Sequence, residues 1–565
     1  MTTLAFDAPD SGVWEQDGAH SPRPATRFLQ EAFGDGFVKG FQGGTACYGL
    51  MLDHLEPFYI NGFLYHKAVI VGAPKNAKGP PPKIVFKLMC LLHPAIRRRL
   101  KTAATVLQEK PWRGHLNHWD TVLKPESTRT HLALQAKDIA ALSDTELADH
   151  ILECFENYKR MAFVHHIYTM SCAVPVGDFM ACTQQWSGLP PSEIAQALRG
   201  SSPISSGVTD EYLAALRAIA GDDDAIRILA QPGPPDDILQ RLRGLNNPTG
   251  QAIRAYLDLV SHRVMGGYDI SCLTAIETPQ VLVHALQWKY TADHEANATE
   301  LVLLQTAKIR NAVPAQHRAL FDELLAEARL INRLRDERGY WSDLWASGLA
   351  RRAMREAGRR LLAQGKVHQA EHLLDATCAE ARTLLTGGGE APPPDAQELQ
   401  QRHQFRVSVS DSVAPTCLNG PAAPPPPAEW FPQKAQRVVR ATDVFMAHLF
   451  AAGTEKSDAK TIRGISVSSG VYQGRARVIE NIDDLNLIQK GEVLVTRSTS
   501  AAFNYALPLV GAIVTDRGGI MSHAAIVARE FGLPGVVGCK VACESIPDGA
   551  MVRVDADNAQ VTILS

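Results

Sequence analysis

No two cysteines in this chain have the C-x-x-C spacing of a zinc ribbon or a redox motif, although ten cysteines are present. They are scattered, and the nearest pair, Cys539 and Cys543, is an isolated C-x3-C. Neither a metal site nor a disulfide framework is indicated, so no metal is expected and a reducing cytoplasm fits. An excess of charge is lacking too. Lys and Arg number 57 against 60 Asp and Glu, a formal net charge of −3, which gives no electrostatic case for a nucleic-acid partner. No apolar run reaches the length of a membrane span, so no membrane partner is expected. Residues 1–27 lack the basic start and apolar centre of a secretion signal; they are polar and proline-bearing and are expected to be disordered. Internal repeats and a Walker A loop are also missing. What is present is an ordinary globular composition, 45% hydrophobic and 21% charged, in 565 residues. That length is too great for one core and implies two to four domains.

Proline and glycine punctuate the second half. Gly387 to Gly389 leads into Pro392 to Pro394, and Pro421 to Pro427 is nearly all Pro and Ala. Such composition, part flexible and part stiff, suits a linker region over 387–459. The sequence before it reads as helical. Ser143-Asp-Thr-Glu146 is a capping box, and Leu147, Ile151, Cys154, Tyr158 and Met161 follow at helical spacing. Further helices are expected over about 316–335, 342–364 and 367–385. Earlier, 56–65 is turn-rich and aromatic, and 67–71 suits a short strand. The expected organisation is a disordered segment 1–27, a mainly α-helical acceptor-binding domain 28–386, the linker region 387–459 and an α/β domain 460–565.

Residues 515–538 carry the most chemistry. An apolar run from Leu509 to Val514 reads as a buried strand, and Gly518-Gly519 then breaks it. Ser522 is a natural N-cap, Ala524 to Glu530 are good helix formers, and Gly532 with Pro534 stops the helix. His523 therefore stands at a helix start, among unpaired backbone N–H groups and the positive end of the dipole. That setting suits a phosphoryl group carried on an imidazole nitrogen.

With Thr515, Gly518, Gly519, Ser522, His523 and Arg529 in place, the stretch resembles the phosphohistidine signature of the PEP-utilising enzyme superfamily. The flanks resemble it as well: Gly464 to Gly470 with Gly474, Gly491 to Thr496, and Asp548-Gly549 with Val552 to Asp555. The chain departs from the pattern after Thr496, where it reads Ser498 to Tyr505, and at the closing turn, Asp555 to Ala559. Looser pieces resemble the central domain of rifampicin phosphotransferase and the large subunit of phenylphosphate synthase. These are Asn61 to Tyr65, Tyr268-Asp269-Ile270, Arg335 to Trp341, and Arg351 to Arg359.

The resemblance implies a multidomain protein: a mainly α-helical substrate-binding domain plus a C-terminal α/β swivelling phosphohistidine domain. It implies a phosphotransferase subunit that carries a phosphoryl group on His523 and passes it to the hydroxyl of a phenol-like or alcohol acceptor. The charging reaction converts ATP to AMP and phosphate, with Mg, on a separate ATP-grasp subunit, since no nucleotide-covering loop is evident before residue 387. Two other readings stay open. One is a rifampicin-type antibiotic phosphotransferase with its ATP domain split off; the other is a phosphocarrier or regulatory protein with no small-molecule product. Gly518, Gly519, Ser522, Thr515 and Arg529 are candidates to hold phosphate. Arg335, beside the apolar seam of its helix, and Arg338 are candidates to neutralise it. His165 and His166 are candidate bases for the acceptor; His165 lies in phase with Leu147, where a packed histidine is the alternative. Tyr65, His262 and Asp269 are candidate acceptor contacts.

Overall fold

A computed structural model of the chain describes residues 4–18, 23–287, 292–389, 393–410, 413–450, 460–479, 482–499, 503 and 507–564. It is multidomain, mainly α-helical, with a mixed sheet toward the C-terminus. The chain divides into two compact units that do not follow its order. The first comprises Met1–Ser171, His262–Cys272 and Arg338–Val439; the second comprises Cys172–Ser261, Leu273–Glu337 and Arg440–Ser565. The expected helical body 28–386 is thus divided, and much of it clusters with the C-terminal residues. Long-range packing of this kind leaves no trace in local periodicity.

In the first unit, a four-stranded sheet has the order β2-β3-β1-β4, with β1 Trp14–Gln16, β2 Leu52–Ile60, β3 Phe63–Ile70 and β4 Cys417–Leu418. Asn61 and Gly62, both at positive φ (50° and 80°), form the two-residue turn between β2 and β3. The segment 1–27, expected to be disordered, therefore supplies a strand, held by Trp14 in a small core with Phe63 and Tyr65. Residues 1–3 and 19–22 of it lie outside the described residues.

The expected linker also contains structure. Helices Ala396–Ser408 and Gln433–Phe450 fall within 387–459. The first is capped by Asp395, whose side chain accepts from the Glu398 N–H at 2.8 Å. The proline tract packs onto the first unit, since a Cβ added at Gly79 would lie 2.7 Å from that of Ala423. Residues 390–392, 411–412 and 451–459 of the expected linker lie outside the described residues.

Helix Asp144–His166 starts with the expected capping box: Glu146 accepts from the Ser143 backbone at 2.8 Å, and Ser143 Oγ accepts from the Glu146 N–H at 3.3 Å. It packs closely on helix Arg27–Cys47. A Cβ at Gly36 would lie 2.3 Å from the Lys159 carbonyl oxygen, and one at Gly40 would lie 2.8 Å from that of Phe163. Glycines spaced four apart give the two backbones this approach and fix the end of the helix that carries His165.

In the second unit, eight strands run in the order β5-β12-β11-β7-β8-β9-β10-β6. They are β5 Thr461–Arg463, β6 Ile465–Ser468, β7 Val471–Ile479, β8 Val493–Thr496, β9 Ala512–Thr515, β10 Gly535–Val537, β11 Met551–Asp555 and β12 Gln560–Ile563. The central pairs β7/β8, β8/β9 and β9/β10 are parallel, and the outer ones are antiparallel. Val493, Val495, Ala512, Val514 and Val536 are fully buried in its core. Unbroken apolar runs of this kind mark strands covered on both faces.

Candidate active site

The parallel register of β8 and β9 sets Thr496 beside Thr515. The two segments that leave the carboxyl ends of these strands are therefore neighbours, the usual place for a site in a parallel sheet. One segment brings Thr499; the other brings His523 at the first turn of helix His523–Phe531. Ser522 caps that helix as expected, its Oγ accepting from the Ala525 N–H at 3.3 Å. Gly532, in the left-handed region at φ 67°, ends it. The Ser522 N–H donates to the Gly519 carbonyl at 3.0 Å, and the Thr515 hydroxyl donates to the Arg517 carbonyl at 2.8 Å. Both candidate phosphate ligands thus also shape the loop.

His523 Nδ1 and Thr499 Oγ1 are 2.9 Å apart. Nε2 is buried and has no hydrogen-bond partner among the described residues. Burial pushes the imidazole down to about 4; Asp336 nearby opposes the shift and Arg335 adds to it. Arg335, 13% exposed at its side chain, lies with Nε 3.8 Å from Asp336. Asp336 accepts in turn from the Ser205 hydroxyl. Arg335, a candidate to neutralise phosphate, acts here on the imidazole by lowering its basicity. Thr499 was not foreseen. It falls in the stretch 498–505 that departs from the signature, and the available signal was a hydroxyl three residues beyond a buried strand. Residues 500–502, 504 and 505 of that stretch lie outside the described residues.

Arg529, expected as a phosphate ligand or a partner of Glu530, does something else. It is 3% exposed and donates to the carbonyls of Ile520 at 2.9 Å and Val467 at 3.4 Å. Burial pushes its guanidinium down to about 10. It pins the loop before His523 from beneath. Glu530 accepts from the Gly200 N–H at 2.8 and 3.0 Å, and Arg199 Nη2 donates to the Glu530 carbonyl at 2.9 Å. These contacts tether the far end of the carrier helix.

Gly518 has φ 101°, and a Cβ there would lie 2.7 Å from Ser522 Cβ and 2.8 Å from its Oγ. Gly518→Ala is expected to displace the cap and cost about 1–3 kcal/mol. Denaturant unfolding of the variant beside wild type measures this; an unchanged midpoint contradicts it.

The first unit holds a second cluster. His165 Nδ1 is 2.6 Å from Asp343 Oδ2, and Asp343 is 1% exposed. Burial pushes the Asp343 carboxyl up to about 7. A Cβ at Gly339 would lie 3.2 Å from His165 Cε1, 3.6 Å from Nε2 and 3.5 Å from the Tyr268 hydroxyl. A glycine there leaves space where Nε2 and a phenol group converge. His166, the other candidate base, stacks on His165 at 4.4 Å, and its Nδ1 donates to the Ala162 carbonyl at 2.7 Å. Burial holds it far below the ordinary histidine value, so it is a packed neutral ring.

Arg338, Tyr65 and Asp269 make hydrogen bonds within the fold. Arg338 donates to the His165 carbonyl and, at 2.8 Å, to the Thr169 hydroxyl. The Tyr65 hydroxyl donates to the Pro415 carbonyl at 2.8 Å. Asp269 accepts from the Thr26 N–H at 2.8 Å and the Ser271 N–H at 2.7 Å. Tyr65 and Asp269, expected at the acceptor, thus join chain segments instead. His262 is half-buried. Among the described residues, no group of three His, Cys, Asp or Glu is placed to hold a metal ion. No helix there is long and apolar enough to cross a membrane.

His523 thus stands at a helix start, over the carboxyl ends of the parallel strands β8 and β9. Residues 488–559 match the mobile domain of PEP-utilising enzymes, and residues 165–362 match the fourth domain of rifampicin phosphotransferase. Over these stretches the chain resembles the PEP-utilising superfamily. An uncharacterized protein of Mycobacterium tuberculosis is 29% identical over 69% of this chain and 40% of its own length. Rifampicin phosphotransferase of Streptomyces sviceus is 27% identical over 78% of this chain and 49% of its own. That of Bacillus cereus is 43% identical over 20% of this chain and 13% of its own. The chain thus spans half or less of the length of these relatives.

Proposed function

We propose that this chain is a phosphotransferase that carries a phosphoryl group on Nε2 of His523 and passes it to an acceptor hydroxyl. The observation that supports this most is the division of labour on the imidazole. Nδ1 lies 2.9 Å from the Thr499 hydroxyl; in the tautomer in which Nδ1–H donates to it, the Nε2 lone pair is left for phosphorus, and the depressed basicity keeps that lone pair unprotonated at neutral pH. In charging, the Nε2–P bond forms as a P–O bond of an ATP-derived donor breaks. In transfer, the acceptor oxygen attacks phosphorus, the P–Nε2 bond breaks, and the hydroxyl proton leaves to a base. Arg335 neutralises charge on the phosphoryl oxygens. His165, oriented by Asp343, is the base we assign. An acceptor of phenolic type fits a mild base, because a phenol ionises near pH ~10. The donor is an ATP-grasp partner or domain that holds ATP and Mg and releases AMP and phosphate.

A second reading takes the acceptor to be a rifampicin-type antibiotic; the match of residues 165–362 favours it. Both are tested together. The protein is loaded with phosphoramidate, or with ATP and an ATP-grasp protein, and then offered simple phenols, alcohols or rifampicin. Acid-labile phosphate on His523 by mass spectrometry, discharged by one acceptor class, is the expected result. Absence of phosphate on that ring under both donors refutes the carrier role. His165→Asn is expected to load normally and to discharge about 10²–10⁴-fold more slowly; unchanged discharge removes His165 as base.

A further inference from the structure

Helix Lys83–Leu92 turns its apolar side outward. Ile84 is 82% exposed, Leu91 69%, Leu92 66%, Leu88 52% and Val85 45%. At 100° per residue these five form one stripe. The helix is not loosely placed. Its opposite side buries Phe86 and Cys90, and the Phe86 ring packs edge-on against Phe431 at 4.9 Å. The stripe is therefore held out by packing rather than left over from it. A contiguous exposed apolar face on a fixed helix marks a docking surface.

The charge of the sequence around it is one-sided. From residue 57 to residue 108 the chain has nine Lys and Arg and no Asp or Glu. Lys67 and Arg99 are buried in ion pairs with Asp10 and Asp53. The other seven are exposed: Lys75, Lys78, Lys83, Lys87, Arg97, Arg98 and Lys101. Lys83 and Lys87, one turn apart, edge the stripe, and their stems can lie along apolar surface while the ammonium groups reach outward. A chain with an overall charge of −3 concentrates cations here.

We propose that this face docks on an anionic lipid surface, with the aliphatic stripe in the acyl boundary and the cations at the headgroups. Aliphatic side chains beside a run of Lys and Arg are the two ingredients of interfacial binding. A second copy of this chain is a poor occupant, because a two-fold contact over the stripe would bring Lys83 and Lys87 against their own copies. Nucleic acid is a poor one as well, because the stripe offers no aromatic ring for base stacking. The proposal concerns attachment to a membrane face and is independent of the carrier chemistry.

The test is flotation of the full chain with vesicles of phosphatidylcholine alone and of phosphatidylcholine with phosphatidylserine, at low and high salt. The expected result is at least ~10-fold more protein floated with phosphatidylserine, falling with salt. Ile84→Glu/Leu91→Glu and Lys83→Glu/Lys87→Glu should each reduce it to the phosphatidylcholine level. Both pairs are exposed, so an unchanged thermal melt confirms folding. Equal recovery on both vesicle types, recovery untouched by the substitutions, or a concentration-dependent dimer lost in Ile84→Glu/Leu91→Glu overturns the proposal. So does a failure to float together with retention on an acidic protein surface.

Discussion

His523→Ala is expected to lower phosphoryl transfer at least ~10³-fold while leaving the fold intact. The fold survives because the carrier helix keeps its Ser522 cap and its Gly532 stop, and alanine is a better helix former than histidine. What is lost is the nucleophile. A pH profile adds a second signature. The folded histidine titrates at about 4, below the ordinary value near ~6.5. Loading from phosphoramidate should therefore hold its rate from neutrality down to about pH 5, where an ordinary imidazole would already be protonated and inert. Stability moves with the same shift. A depressed histidine gives the unfolded chain the greater proton affinity, so stability is full above ~6.5 and is lost as pH falls toward 4. A loading rate that halves near ~6.5 would contradict the burial of this ring.

Arg529→Met should destabilise the second unit by about 2–3 kcal/mol, because it strands the buried carbonyls of Ile520 and Val467. Lysine should rescue it in part, since both bonds come from the single nitrogen Nη1, whose place an ammonium can take. Urea unfolding measured beside the loading rate decides the role. A phosphate ligand would lose rate and keep its midpoint; a loop support loses both. The distinction matters because the signature alone suggests phosphate binding at this arginine, whereas its hydrogen bonds go to the loop's carbonyls.

Local signals in the sequence were read well where one segment contained the whole device. The capping box at Ser143, the Ser522 cap and the Gly532 stop each need only neighbouring residues, and each is present. Asn61-Gly62 is an equally local signal, the two-residue hairpin turn; reading 56–65 as merely turn-rich misses β2 and the start of β3, of which only the strand at 67–71 is expected. Other features depend on distance. Thr499 meets His523 only because β8 and β9 pair in parallel, and His165 meets Asp343 across 178 positions. The proline tract 421–427 has linker composition, yet it packs beside Gly79. Composition records stiffness, not which surface a stiff segment lies on. Arg335 drew attention because a charge at an apolar seam demands a reason, and the seam is visible at helical spacing; its role is part of the proposal.

The covered Nε2 has a consequence for economy. A phosphorus–nitrogen bond on an imidazole is spontaneously cleaved by water, and a carrier open to solvent would discharge between partners. With the accepting nitrogen buried and the helix tethered at Glu530, the loaded form would be shielded whenever it rests in this arrangement. Its idle half-life would then be set by how often the tether opens, so that loosening Glu530 turns a transferase into a slow phosphatase of its own cargo.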